Sequence, residues 1–150
     1  MECNRRELSP DVLMDPLLSL LEEAESVPLL ISGSSMAPFL VHGRDTVYLS
    51  KITRPLKKGD MILFRRETGD WVLHRILKAE DGVYTLIGDA QTWTEQVAHC
   101  QVYALVSAVR RKGKLLRTGN FLWAFFEHLW LRLIPLRPGI MKLYGWIFRK

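Results

Sequence analysis

A mainly β fold, an antiparallel sandwich or partly open barrel with a short helix before it and an amphipathic helix after it, is predicted by three features. Apolar and β-branched residues alternate at period two between residues 29 and 109. Glycine turns punctuate that stretch at close spacing, at His42-Gly43, Lys58-Gly59-Asp60, Thr68-Gly69-Asp70, Asp81-Gly82 and Gly88-Asp89. The two flanks lose this pattern and take up helical spacing. At 150 residues the chain suits one domain with an appendage, and 48% apolar with 25% charged residues is the composition of a folded protein, not a disordered one.

In chain order, Ser9-Pro10-Asp11 reads as a helix N-cap with proline in the first helical position. Val12 to Glu25 follows as a short helix with Leu13, Leu17, Leu20, Leu21 and Ala24 on its inner face, and Pro16 delays its true start by a turn. Strands are predicted at Leu29-Leu30-Ile31, Asp45–Leu49, Met61–Arg65, Trp71–Leu77, Val83–Ile87 and Gln101–Val109. Lys112-Gly113-Lys114 closes the strand region. Phe121 to Ile134 then reads as a helix, apolar apart from a narrow stripe of Asn120, Glu127, His128 and Arg132, and Pro135 and Pro138 stop it. Ile140 to Lys150 adds Tyr144, Trp146 and Phe148 among basic residues. The implied division is a helical segment at 1–28, a β domain at 29–112 and a basic aromatic segment at 113–150.

Charge divides along the same line. Residues 1–109 hold 11 Lys/Arg against 15 Asp/Glu, a balance of −4, whereas residues 110–150 hold 10 against Glu127 alone, a balance of +9. Opposite sign in the two parts points to a separate task for the second. A wide apolar face with flanking Arg/Lys suits a membrane surface, and it equally suits packing on the sheet or on a partner protein. Nucleic acid fits less well, because the aromatics cluster in apolar runs instead of interleaving with the basic residues. No secretory signal and no uncharged apolar run of about 18 residues is visible, so residence in the cytoplasm, peripheral at the inner face of the membrane, is expected. Cys3 and Cys100 have no metal-ligand spacing and read as free thiols.

Chemistry concentrates in two places. Ser35 lies in Ser32-Gly33-Ser34-Ser35-Met36-Ala37-Pro38, where Gly33 permits a sharp bend and Pro38 fixes the exit, so a side chain is presented on a tight turn. A serine there needs a base, and His74, in Val72-Leu73-His74-Arg75-Ile76, can supply it. Alternation puts Val72, His74 and Ile76 on one face. The plain alternatives are a polar turn and a hydrogen-bonded core histidine. No Walker loop, zinc-protease helix or dinucleotide fingerprint is present, and neither metal nor cofactor is expected.

The ordered set Ser-Gly-x-Ser-Met-x-Pro, Gly59-Asp60 before an apolar strand, His74-Arg75-Ile76 and Gly88-Asp89 resembles the signal peptidase I clan of serine peptidases, over roughly residues 30–110. The likeness is closest to the branch that pairs serine with histidine. It implies a signal-peptidase-like β fold and peptide-bond cleavage through an acyl-enzyme, with Ser35 as nucleophile, His74 as general base and Asp89 holding the imidazole. Against those roles stands a simple Asx turn at Asp89. Glu95 stands where that branch often has a second aspartate, and the change leaves its role open. The oxyanion would be met by the Ser35 N–H, with Gly33 backbone or Ser34 as second donor. Members of the clan usually carry a membrane-spanning helix before the serine, and here about 30 residues precede it. The expected activity is therefore serine endopeptidase cleavage of a leader, signal or precursor peptide bound in extended form. The alternative is a catalytically silent module that captures peptide or docks on a membrane.

Overall fold

In a computed structural model, which describes residues 10–148, the centre of the chain is one antiparallel sheet of eight strands. Helix α1 (Pro10–Glu23) precedes β1 (Val27–Leu30), β2 (Thr46–Ser50), β3 (Met61–Arg65), β4 (Trp71–Glu80), β5 (Val83–Ile87), β6 (Glu95–Ala98), β7 (Val102–Arg111) and β8 (Lys114–Arg117). The strand order is β1-β2-β7-β3-β4-β5-β6, with β8 also on β7, so the sheet is open and the long strand β7 joins its two halves.

Alternation along β3 explains the core. Met61 and Leu63 enter a cluster with Phe39, Leu40, Val47, Leu49, Val106 and Val109, while Ile62 and Phe64 face a second cluster with Ile76, Leu86, Val97 and Leu105. The strand is buried on both faces and reads as a continuous apolar run. Helix α1 covers the first cluster through Met14, Leu17 and Leu21. The predicted inner-face residue Leu20 is instead 54% exposed, and Ala24 is exposed too. Pro16 does not delay the helix, which runs through it from Pro10. Burial of one face offsets the single backbone bond that proline removes. Ser9 and Cys3, with the Leu13 side chain, lie outside the described residues.

Two strands were not predicted. Lys112 and Gly113 do not end the strand region; at φ +50° and +80° they form the turn of a β7–β8 hairpin, pairing Arg111 with Lys114. Strand β6 pairs Leu86 with Glu95 and Val83 with Ala98.

The predicted helix beyond residue 120 is present, capped by Asn120, whose side chain accepts from the Leu122 and Trp123 N–H groups. It comprises α2 (Phe121–Ala124), a π-helical turn (Phe125–Leu129) and α3 (Trp130–Arg132), ending before Pro135. Pro138 does not act as a stop. It lies in the first turn of a further helix, α4 (Arg137–Phe148), where a missing N–H costs no bond. Trp123, Phe126 and Trp130 join the first cluster, so this segment packs on the sheet. Among the described residues, no helix is long and apolar enough to cross a membrane.

Candidate active site

The serine turn is fixed by its backbone. Gly33, at φ +87°, donates its N–H to His42 Nδ1 at 2.9 Å, and the Ser34 carbonyl accepts from Ala37 N–H. Past the cis Ala37–Pro38 bond, Arg111 grips the Pro38 and Phe39 carbonyls, at 3.3 and 2.7 Å. The Ser35 carbonyl accepts from Ala90 N–H at 2.9 Å, which ties the turn to the segment just after β5. That approach requires Gly88: a Cβ there would lie 2.6 Å from the Ser35 carbonyl oxygen. Ser35 itself is half-buried, against a pocket of about 160 Å³ lined also by Ile31, Ser32, Gly33, Met36, Trp71, Val72 and Leu73.

His74 lies on β4 opposite Ile62, its ring 5.8 Å from that of Phe64 and only 2% exposed. Its Nδ1 is 3.1 Å from Glu95 Oε1. The contact is close but falls outside hydrogen-bond alignment, which leaves Nδ1 a buried nitrogen without a formal bond. Glu95 is in turn held by Arg66 through two parallel bonds, Nε to Oε2 and Nη2 to Oε1, both 2.8 Å. Burial pushes the His74 pKa below its ordinary value; Glu95 opposes that and Arg66 reinforces it. The Arg66 guanidinium holds the Glu95 carboxyl below the usual range, against its own partial burial. A neutral imidazole thus sits beside an ionised carboxylate, with Nε2 as the ring nitrogen not turned to Glu95.

Asp89 does not hold His74. Its two carboxylate oxygens receive Arg75 Nε and Nη2, each at 2.9 Å, in an ion pair with both side chains essentially inaccessible. Strand alternation explains this, since Arg75 and His74 point to opposite faces of β4. Arg75 also donates to the Gly59 carbonyl and lies 5.5 Å over the Phe39 ring. The residue beside His74 is therefore Glu95, brought there by β6. Its six-residue offset from Asp89 was the available signal. A Glu in place of Asp, on a strand of four residues, obscured it.

The expected oxyanion donors separate as well. The Gly33 N–H is committed to His42 and cannot serve, whereas Ser34 is exposed. Among the described residues, no hydrogen bond joins Ser35 Oγ to His74 Nε2. Such bonds in free enzymes are often long and tighten only with substrate.

The segment that carries the serine turn is itself gripped from outside the sheet, by residues with no catalytic signature in sequence. Trp130 Nε1 donates to the Asp89 carbonyl at 2.7 Å. Arg137, fully buried, donates to the carbonyls of Gly88, Gln91 and Trp130 at 3.1, 2.9 and 3.1 Å.

No protein-family model matches the chain, and no curated protein matches it in sequence.

Proposed function

We propose that this protein is a serine endopeptidase of the signal-peptidase type, with its eight-stranded sheet a variant of that fold. Ser35 is the nucleophile, His74 the general base and Glu95, steered by Arg66, the group that stabilises the imidazolium. Asp89 is reassigned to a structural pair with Arg75. The observation that carries the proposal is the buried, neutral His74 beside an ionised Glu95, on the strand that also lines the pocket of Ser35.

In the reaction, Ser35 Oγ attacks the scissile carbonyl while its proton passes to His74 Nε2. The oxyanion is met by the Ser35 N–H, with the Ser34 hydroxyl as second donor. Collapse breaks the C–N bond, and His74 returns the proton to the leaving amine. Water, activated by the same histidine, then hydrolyses the acyl-enzyme. Residues Trp71–His74 pair with β3 on one side, while β5 reaches only as far as Arg75. The other edge of this stretch can take an extended peptide as an added strand. The small pocket beside Ser35, about 160 Å³, favours small side chains next to the cut, in a leader or precursor peptide.

A fluorophosphonate probe tests the nucleophile. One adduct per wild-type chain is expected, mapped to Ser35 and lost in Ser35→Ala and His74→Ala. Equal labelling of wild type and Ser35→Ala would overturn the assignment. Peptide capture without turnover by an unlabelled, folded wild type would favour the silent binding module.

A further inference from the structure

Helix α4 is oriented against the ordinary rule for a surface helix. Ile140, Met141 and Arg137 face the body, where Ile140 and Met141 pack on the first core cluster. Three- and four-residue spacing then places Leu143, Trp146 and Ile147 on the outer side, at 57, 75 and 52% exposure; Leu136, just before the helix, is 60% exposed. Lys142 is exposed beside Trp146, and Arg132 on α3 is exposed too.

We propose that this outer face docks on an anionic lipid surface. The charge of the segment selects that occupant. Beyond residue 117 the sequence has Arg132, Arg137, Lys142, Arg149 and Lys150 against one acid, Glu127, which is buried against Gly59; Arg137 is buried, and Arg132 and Lys142 are exposed. A second copy paired symmetrically through this face would bring the same cations together, with no exposed acid of the segment to meet them. An anionic bilayer satisfies both halves of the surface: leucine, isoleucine and tryptophan enter the headgroup boundary while the basic side chains meet lipid phosphates. A helix of 12 residues is about 18 Å long, against roughly 30 Å of hydrocarbon, so α4 lies in the interface and does not span it. Because Arg137 of the same helix grips the Gly88 and Gln91 carbonyls, docking would hold the serine site at the membrane surface.

The test is co-sedimentation of the full chain with phosphatidylcholine vesicles, with and without phosphatidylglycerol. Wild type is expected to pellet with the anionic vesicles alone, and less so as salt rises. The Leu143→Ser/Trp146→Ser variant is expected to lose at least tenfold in partitioning, and Lys142→Ala about fivefold. Val83→Ser, which alters an apolar side chain at the far hairpin, is expected to bind as wild type. These positions are exposed, and unchanged circular dichroism verifies folding. Equal binding to neutral vesicles, no binding, or binding indifferent to Leu143→Ser/Trp146→Ser would overturn the proposal. So would a concentration-dependent dimer abolished by that variant without vesicle binding, which would give the face to a second copy. Vesicle binding is expected unchanged in Ser35→Ala, so this outcome stands apart from that of the peptidase reading.

Discussion

Asp89 and Glu95 are both carboxylates near one imidazole, and their neighbours give them different tasks. Asp89 is buried with each oxygen bonded to Arg75, so Asp89→Asn strands a buried guanidinium and is expected to cost about 3–5 kcal/mol, read as a shift in the urea midpoint. Glu95 is more accessible and faces His74, so Glu95→Gln is expected to leave the fold in place and lower kcat by roughly 10²–10⁴-fold. If Asp89→Asn is instead fully stable but inactive, the two assignments must be exchanged. The pH dependence follows from His74. Its folded-state pKa lies below the ordinary 6.5, so as pH falls beneath 6.5 the unfolded chain binds the proton first and stability declines. The acid limb of kcat/KM is therefore expected below 6.5. In His74→Gln the decline in stability over that window should flatten, as denaturant midpoints on either side of 6.5 will reveal.

Among the elements, the predicted strands were legible because β2, β3, β4, β5 and β7 carry enough alternating or wholly apolar residues to show their period. Strand β6 has only four residues, Glu-Gln-Val-Ala, of which Val97 alone is deeply buried, so no period is visible. Strand β8 is Lys-Leu-Leu-Arg, supported by pairing to β7 and not by its own pattern. The same limits hid part of the site. Ser35 and His74 stand in recognisable local runs, but the exchange of Asp89 for Glu95 depends on which face of β4 each neighbour meets. In the sequence, Trp130 and Arg137 stand out only as part of an apolar, basic segment. Their bonds to the Gly88–Gln91 carbonyls are long-range and leave no local trace. These bonds have a direct readout. Arg137→Met is expected to raise hydrogen exchange at the Ala90 and Gln91 amides, which hold the Ser35 and Gly88 carbonyls, with little change in the β2–β7 ladder. Uniform acceleration across the sheet would show that Arg137 supports the whole fold and not this segment.

Across the whole molecule, the β body with the serine turn and the helical segment meet in the first core cluster, and the segment also grips the stretch from Gly88 to Gln91. The change of charge sign at residue 109 falls inside β7, so Arg110, Arg111, Lys112, Lys114 and Arg117 belong to the β7–β8 hairpin, while the helices beyond complete the wall behind the serine turn. Gly88 sits at the junction, so Gly88→Ala, which sets a Cβ against the Ser35 carbonyl, is expected to abolish turnover while leaving much of the sheet intact. The proposed cleavage of peptide bonds by Ser35 has a direct test. The most direct measurement is mass-spectrometric mapping of new termini after a diverse peptide library is incubated with wild type and with Ser35→Ala. Cleavage by wild type at sites preceded by small residues, and none by Ser35→Ala, is the expected result. Folded wild type that yields no termini beyond those of Ser35→Ala would contradict it.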